Sequence, residues 1–270
     1  MLQAIVLGAA QGLTEFVPVS SSAHLVLVPF LLRWPIPSLA FDVAIHLGTL
    51  LALLVYFAAD LARMLAGAAR AAAGRGNEGD RLQGRLVLLP VVGTIPAAGA
   101  GLFLEDFFED LFERPGVTAA LLLVTAALIV AGEAVIARRP PERPREMRSI
   151  GWWDAVVMGL FQAVAIAPGI SRSGATISAG LFRGLAREAA ARFSFLLSIP
   201  AILGAAVVAI PDVPAGTDWG PTLVGAGVAA VAGFTSIAVL LRYLRTRTMV
   251  PFAAYCVALS ALALTVAAAR

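Results

Sequence analysis

Lysine is absent from the chain, and all 20 of its basic residues are arginine. Cysteine is nearly absent: Cys256 stands alone inside an apolar run, which excludes a disulfide framework and a cysteine-based metal site and leaves packing as its role. Charge of either sign is scarce, at 14% of 270 residues, while 60% are hydrophobic and the mean hydropathy is +0.88. That composition excludes an ordinary soluble domain and makes a bilayer the expected solvent. Residues 1–32 hold no basic residue and include Glu15, so the charged start of a cleaved signal peptide is missing and the N-terminus is expected to stay in the mature protein. The sequence has neither a Gly-x-x-x-x-Gly-Lys-Ser/Thr loop nor His-Glu-x-x-His, which argues against a nucleotide partner and an NTP-driven pump. A pI of about 9.7 invites a nucleic-acid reading. The arginines argue otherwise, because they cluster in short connections between apolar runs.

Six windows are long and apolar enough to span a bilayer: 39–59, 86–104, 116–136, 193–210, 220–241 and 249–269. Segment 63–85 carries five arginines against Glu78 and Asp80, 138–148 carries five against Glu142 and Glu146, and Arg242, Arg245 and Arg247 follow the fifth window. The positive-inside rule places these three segments in the cytoplasm. Segment 105–114, with Glu105, Asp106, Glu109, Asp110 and Glu113 against Arg114, and 211–220, with Asp212 and Asp218, fall outside by elimination.

This threading leaves two apolar pieces that must leave and return on one side, 1–33 from outside and 150–187 from inside. Each is broken in the middle, the first at Pro18-Val-Ser20-Ser21-Ser22 and the second at Pro168-Gly-Ile-Ser171-Arg172-Ser173-Gly174. Both read as re-entrant helix hairpins. The expected fold is therefore an all-α polytopic membrane protein of about ten helical segments, built as an inverted-topology repeat in one membrane domain, 1–270. The N-terminal repeat is 1–137 (hairpin 1–33 and the first three windows) and the C-terminal repeat is 150–270 (hairpin 150–187 and the last three), joined by an Arg/Pro-rich linker at 138–149. A weak internal echo agrees: Gln11 precedes Pro18 as Gln162 precedes Pro168, and Phe41 and Phe193 follow at similar distances before an apolar span.

Glu15 is the most informative residue, because a carboxylate within an apolar hairpin is costly and by default functional. Gln11 and Glu15 share a helix face at i and i+4, about 6 Å apart. Glu15 suits a general base or, with Gln11 adding an oxygen, a tentative divalent-cation site. Ser20, Ser21 and Ser22 open a half-helix whose first N–H groups lack intrahelical partners and form an anion site. His24, one turn after Ser21, is placed to manage a proton. In the second break Ser171, Ser173, Gly174 and Thr176 surround Arg172, whose guanidinium can clamp phosphate oxygens. Serines at helix starts also serve simply as caps, but the ensemble supplies each polar role that phosphoryl transfer requires. Opposite entry would bring Glu15, Ser21 and His24 against Arg172 near the midplane. His46 could line the cavity but reads rather as packing or a local hydrogen bond, Asp42 and Glu133 as solvated or structurally paired, and Trp152-Trp153 as an interfacial belt.

Gln11-Gly-Leu-Thr-Glu15-Phe-Val-Pro-Val-Ser-Ser-Ser-Ala-His24 and Pro168-Gly-Ile-Ser-Arg-Ser-Gly-Ala-Thr176 resemble the two signatures of the bacterial undecaprenyl-diphosphate phosphatase family, the bacitracin-resistance proteins. The likeness extends to Ile95-Pro96, Phe193-Ser-Phe-Leu-Leu-Ser-Ile-Pro200 and Val250-Pro-Phe-Ala-Ala-Tyr255, nearly the whole chain. It implies removal of the terminal phosphate of undecaprenyl diphosphate at the outer face of the bacterial inner membrane, recycling the lipid carrier for peptidoglycan, with a divalent cation such as Mg2+ or Ca2+. By position it implicates Glu15, Ser21, His24 and Arg172, with Ser20, Ser22, Ser171, Ser173, Gly174 and Thr176 around the diphosphate. Gln11 stands where many members carry a second glutamate, so acid–base work by a carboxylate falls to Glu15 alone. Ala23 replaces a common glycine. The partners expected are the polyprenyl diphosphate and membrane lipids, with no nucleic acid, and a homodimer is allowed. The rival class is a secondary transporter or flippase of polyprenyl phosphate using the same inverted repeat.

Overall fold

A computed structural model of the protein describes residues 1–138 and 144–269, together with all but the side chains of Glu105, Asp106 and Glu109. Part of the expected linker, 139–143, and the last residue of the expected C-terminal repeat thus lie outside the described residues. Among the described residues there are twelve α-helices and no strand.

The first hairpin is α1 (Leu2–Phe16) and α2 (Ser21–Leu32). At 15 and 12 residues they reach roughly 18–23 Å, short of the roughly 30 Å hydrocarbon thickness. Next come α3 (Leu39–Tyr56), α4 (Ala58–Ala72), α5 (Glu78–Phe103), α6 (Glu105–Phe112) and α7 (Pro115–Ala137). The second hairpin is α8 (Trp152–Val164) and α9 (Arg172–Phe182), again too short to span. The chain ends in α10 (Arg187–Ala209), α11 (Trp219–Leu244) and α12 (Val250–Ala268). Six helices, α3, α5, α7, α10, α11 and α12, are long and apolar enough to cross a membrane, so the protein is an all-α polytopic membrane protein. Large side chains such as Val207 near the end of α10 and Val231 in the middle of α11, each 71% exposed, are the surface that lipid covers.

Two helices exceed the expected ten, and both lie in segments read as connections. In α4, Met64 and Gly67 turn inward while Arg63 and Arg70 stay outside. In α6, Phe108 is buried against Ile170 and Ala175 of the second hairpin. Two-sided composition lowers the average hydropathy of such segments without preventing a helix. Two spans also begin earlier than expected. Helix α5 starts at Glu78 because Asn77 and Asp80 form a reciprocal capping box, the Asp80 N–H donating to Asn77 Oδ1 at 2.9 Å. Helix α10 starts at Arg187 because its polar first turn is paired: Arg187 donates to Glu133 at 2.9 Å, and Glu188 accepts from Arg192 and Arg245.

The packing exchanges elements between halves. Helix α1 lies on α11, and its counterpart α8 lies on α5; α3 packs on α11 as α10 does on α5, and α7 pairs with α12. These five pairings are unchanged when the halves are swapped, whereas the packing of α9 on α10 and of α1 on α3 is not matched to the same extent in the other half. Glycine makes the closest of these approaches: a Cβ on Gly8 would collide with the Gly225 carbonyl, and one on Gly159 with the Gly93 carbonyl. Gly8 and Gly159 each stand three residues before the glutamines of the internal echo, Gln11 and Gln162, so the echo is carried into matching contacts.

The base of the second hairpin is pinned by charge. Asp154 accepts from Arg145 at 2.6 Å and from Arg183 at 2.8 Å, fixing the linker and both arms together. The Asp154 hydrogen bond holds the Arg145 guanidinium above its ordinary pKa. Glu133, expected to be structurally paired, also accepts the Met249 N–H at 2.8 Å, joining α7, α10 and the start of α12.

Candidate active site

Both hairpins turn at their helix breakers, and the turns meet. In the first, α1 stops before Pro18 and Ser20 adopts φ 67°, ψ 98°, outside the common basins of a non-glycine residue. Ser20 Oγ then caps α2, accepting the Ala23 N–H at 3.2 Å. In the second, Gly169 takes φ 98°, where a Cβ would strike the Thr118 carbonyl, and Ser171 Oγ caps α9 by accepting the Gly174 N–H at 3.0 Å. The two turns are stitched by the Gly169 N–H donating to Ser22 Oγ at 3.4 Å and by Ser173 Oγ donating to the Val17 carbonyl at 3.2 Å.

Glu15 sits at this junction with 3% of its side chain exposed. Its Oε2 accepts from Ser21 Oγ at 2.6 Å and from Gln11 Nε2 at 2.9 Å, and its Oε1 is ion-paired with Arg172 Nη2. Carboxylate and hydroxyl from one hairpin therefore face the guanidinium of the other. The Arg172 side chain remains 22% exposed. Phe16, next to Glu15 in the sequence, packs edge-on against Phe195 of the other half at 5.2 Å.

Glu15, Ser21, Arg172 and Gln11 are thus brought together, with Ser22 and Ser173 bordering them. His24 is held elsewhere: Nδ1 is 2.7 Å from the Ser20 carbonyl and Nε2 is 2.7 Å from Tyr255 Oη. Thr176 is not a site residue in this geometry. It is fully buried, its hydroxyl donating to the Arg172 carbonyl at 2.7 Å and bonded to Ser194 Oγ at 2.6 Å. Ser20, Ser171 and Gly174 act as caps and cap partner, leaving the first N–H groups of α2 and α9 without intrahelical partners.

Compared with known sequences, residues 4–262 match the family described as "Bacitracin resistance protein BacA". An "Undecaprenyl-diphosphatase" of Idiomarina loihiensis is 42% identical, with 94% of each chain aligned. One of Gemmatimonas aurantiaca is 44% identical over 99% of this chain and 98% of its own. "Undecaprenyl-diphosphatase 2" of Streptomyces coelicolor is 40% identical over 95% and 91%. The chain belongs to the bacitracin resistance protein family.

In this member of the bacitracin resistance family, the protein groups do not make a cage for a divalent cation. Glu15 is already satisfied by Ser21, Gln11 and Arg172, and Gln11 turns its amide nitrogen toward it, leaving its own Oε1 buried without a partner. Among the described residues no group of three or more His, Cys, Asp or Glu side chains converges. One neutral oxygen beside a neutralised carboxylate does not fit a hard dication, which takes several oxygens.

Thr125 and Tyr255 escaped the sequence reading, and His46 goes beyond it. His46 makes the expected local hydrogen bond, Nδ1 donating to the Asp42 carbonyl at 2.8 Å, and its Nε2 also lies 4.0 Å from Glu15 Oε2. Its signal was present: Asp42 and His46 form an i, i+4 titratable pair on an apolar span. Thr125 of α7 holds the second turn, donating to the Gly169 carbonyl at 2.9 Å and accepting the Ser171 N–H at 2.8 Å. Tyr255, noted only as part of the family likeness, meets His24. Nothing in local spacing pointed to either of the last two.

Proposed function

We propose that the protein hydrolyses undecaprenyl diphosphate to undecaprenyl phosphate and inorganic phosphate at the outer face of the bacterial inner membrane, recycling the lipid carrier for peptidoglycan and resisting bacitracin. The observation that carries this reading is the junction of Ser21, Glu15 and Arg172 between two hairpins. Hydroxyl, base and guanidinium are what a phosphoryl transfer needs, and their burial at a site joined to the lipid suits a substrate with a polyprenyl tail. The names borne by relatives matched along almost their full length point to the same substrate.

Before substrate arrives, Arg172 neutralises Glu15. A diphosphate competes for the guanidinium, accepting its N–H groups through terminal oxygens. Released from Arg172, Glu15 becomes the stronger base toward the Ser21 hydroxyl 2.6 Å away. The Ser21 proton passes to Glu15 Oε2 as Ser21 Oγ bonds to the terminal phosphorus, and the bond to the bridging oxygen breaks. The leaving group is undecaprenyl phosphate, an anion that departs without a proton. Water then attacks the phosphoserine, phosphate leaves, and Ser21 recovers its proton from Glu15. Arg172 and the open N–H groups of α2 and α9 offset charge on the equatorial oxygens.

Purified protein in detergent, where no gradient exists, should release phosphate from undecaprenyl diphosphate. Acid quenching with substrate labelled in the terminal phosphate should trap label on Ser21. Arg172→Ala and Ser21→Ala should each lose about 100-fold or more in kcat. Near wild-type rates in both would refute the assignment.

A further inference from the structure

Two groups that the mechanism above does not use are packed against its most strained residue. Ser20 and Arg33 are the two non-glycine residues with positive φ among those described. Arg33 closes a helix at φ 56°, ψ 38°, an ordinary left-handed end, whereas Ser20, at ψ 98°, lies outside that basin and immediately precedes Ser21. Such a conformation persists only where its surroundings impose it. The Ser20 carbonyl accepts two hydrogen bonds from His24, one from the backbone N–H at 3.3 Å and one from the ring Nδ1 at 2.7 Å.

A carbonyl oxygen only accepts, so His24 Nδ1 carries hydrogen. In the neutral ring Nε2 is then an acceptor, and the group 2.7 Å from it is the hydroxyl of Tyr255, on α12 and 231 residues away. The two rings lie parallel, 5° apart in plane with centroids at 5.7 Å. Both nitrogens of a buried imidazole are therefore committed, one to the bend and one to α12. The histidine that faces Glu15 is the other one, His46.

We propose that Tyr255 and His24 are positioning residues for the phosphatase reaction: Tyr255 orients the His24 ring, the ring holds the Ser20 carbonyl, and the strained Ser20 sets Ser21 Oγ against Glu15. This inference rests on the reading of Ser21 as nucleophile. It gives His24 a mechanical role through the backbone and no proton to transfer to substrate. It also explains why α12, which contributes nothing to the Glu15–Ser21–Arg172 cluster, reaches the first hairpin at this point.

The test compares His24→Asn, His24→Gln and Tyr255→Phe in the purified full-length protein, measuring kcat, KM and the pH profile, with thermal unfolding as the control. An asparagine amide N–H lies near the position of Nδ1, so His24→Asn should keep activity within about tenfold of wild type, the worth of one imperfect hydrogen bond. A glutamine amide lies near Nε2 and misses Ser20, so His24→Gln should lose about 100-fold in kcat with KM little changed, as misplacement of a reacting group does. Tyr255→Phe should lose about tenfold in kcat. From α12 the titratable group that meets His24 is Tyr255, while Cys256 is turned to the Pro18 carbonyl at 3.8 Å, and the Glu15 and Asp42 carboxylates lie beside the other histidine, His46. The pH profile of His24→Asn should therefore keep both limbs.

An inactive His24→Asn beside an active His24→Gln, loss of a pH limb in His24→Asn, or an undisturbed Tyr255→Phe would each overturn the proposal. Wild-type protein that releases no phosphate would instead overturn the proposed function.

Discussion

Replacing Thr125 by valine removes one oxygen and keeps the shape of the side chain. That oxygen is fully buried and serves both sides of the second turn, donating to the Gly169 carbonyl at 2.9 Å and accepting the Ser171 N–H at 2.8 Å. Valine leaves a buried carbonyl and a buried N–H unpaired, at a cost of about 1–3 kcal/mol each. The chain has a direct way to reduce that cost, which is to let the turn move off α7. Arg172 follows Ser171 directly, so a turn displaced by about 1 Å misaims the guanidinium and lowers kcat by about 100-fold. The expected result for Thr125→Val is lower thermal stability in detergent together with a fall in phosphate release at saturating substrate. Thr125→Ser retains the hydroxyl and should recover most of both. A valine variant with wild-type stability and wild-type kcat would refute the reasoning, since it would show that neither hydrogen bond holds the turn.

His46→Ala should reduce kcat about tenfold in the phosphate-release assay, because it removes the one imidazole near Glu15, a typical lower scale for a polar partner of a catalytic base; an unchanged kcat would return His46 to packing. Gly159→Ala places a methyl group against the Gly93 carbonyl where α8 meets α5, and should cost about 1–3 kcal/mol of stability, read as a lowered Tm or a loss of folded yield. Titration of substrate-free protein with Mg2+ or Ca2+ should show no saturable heat, because its side chains do not make a cage; saturable binding abolished by Glu15→Gln would contradict the geometry.

The parts of this protein that were legible in its sequence are those where cost is local. A spanning helix needs a continuous apolar run, so six such windows reappear as six helices, with starts displaced by more than one residue only where polar first turns found partners. A proline beside a run of serines or a glycine favours a break, so both hairpin turns were visible, whereas the lone Pro90, Pro96 and Pro200 are carried inside spanning helices. Glu15 and Arg172 stood out because charge inside an apolar hairpin demands a partner, and each is the partner of the other. What was hidden depends on direction. His24 lies three residues after Ser21, which on a regular helix would place the two together. The ring instead turns back one turn to the Ser20 carbonyl, a residue whose backbone no propensity scale would place there. Thr125 is one threonine in an apolar span, indistinguishable from any other until the turn of the second hairpin lands on it.

The ion pair between Glu15 and Arg172 also bears on how the protein is made. The carboxyl enters the membrane 157 positions ahead of the only guanidinium it pairs with. An unpaired acidic side chain deep in a bilayer costs about 2.5–3.5 kcal/mol even on the lenient insertion scale. The first hairpin must therefore wait at the interface, or enter protonated, while the translocon delivers five further helices and the second hairpin behind it. Completion of the second turn supplies the guanidinium that releases it, so the charged pair can close while α10, α11 and α12 are still to be delivered.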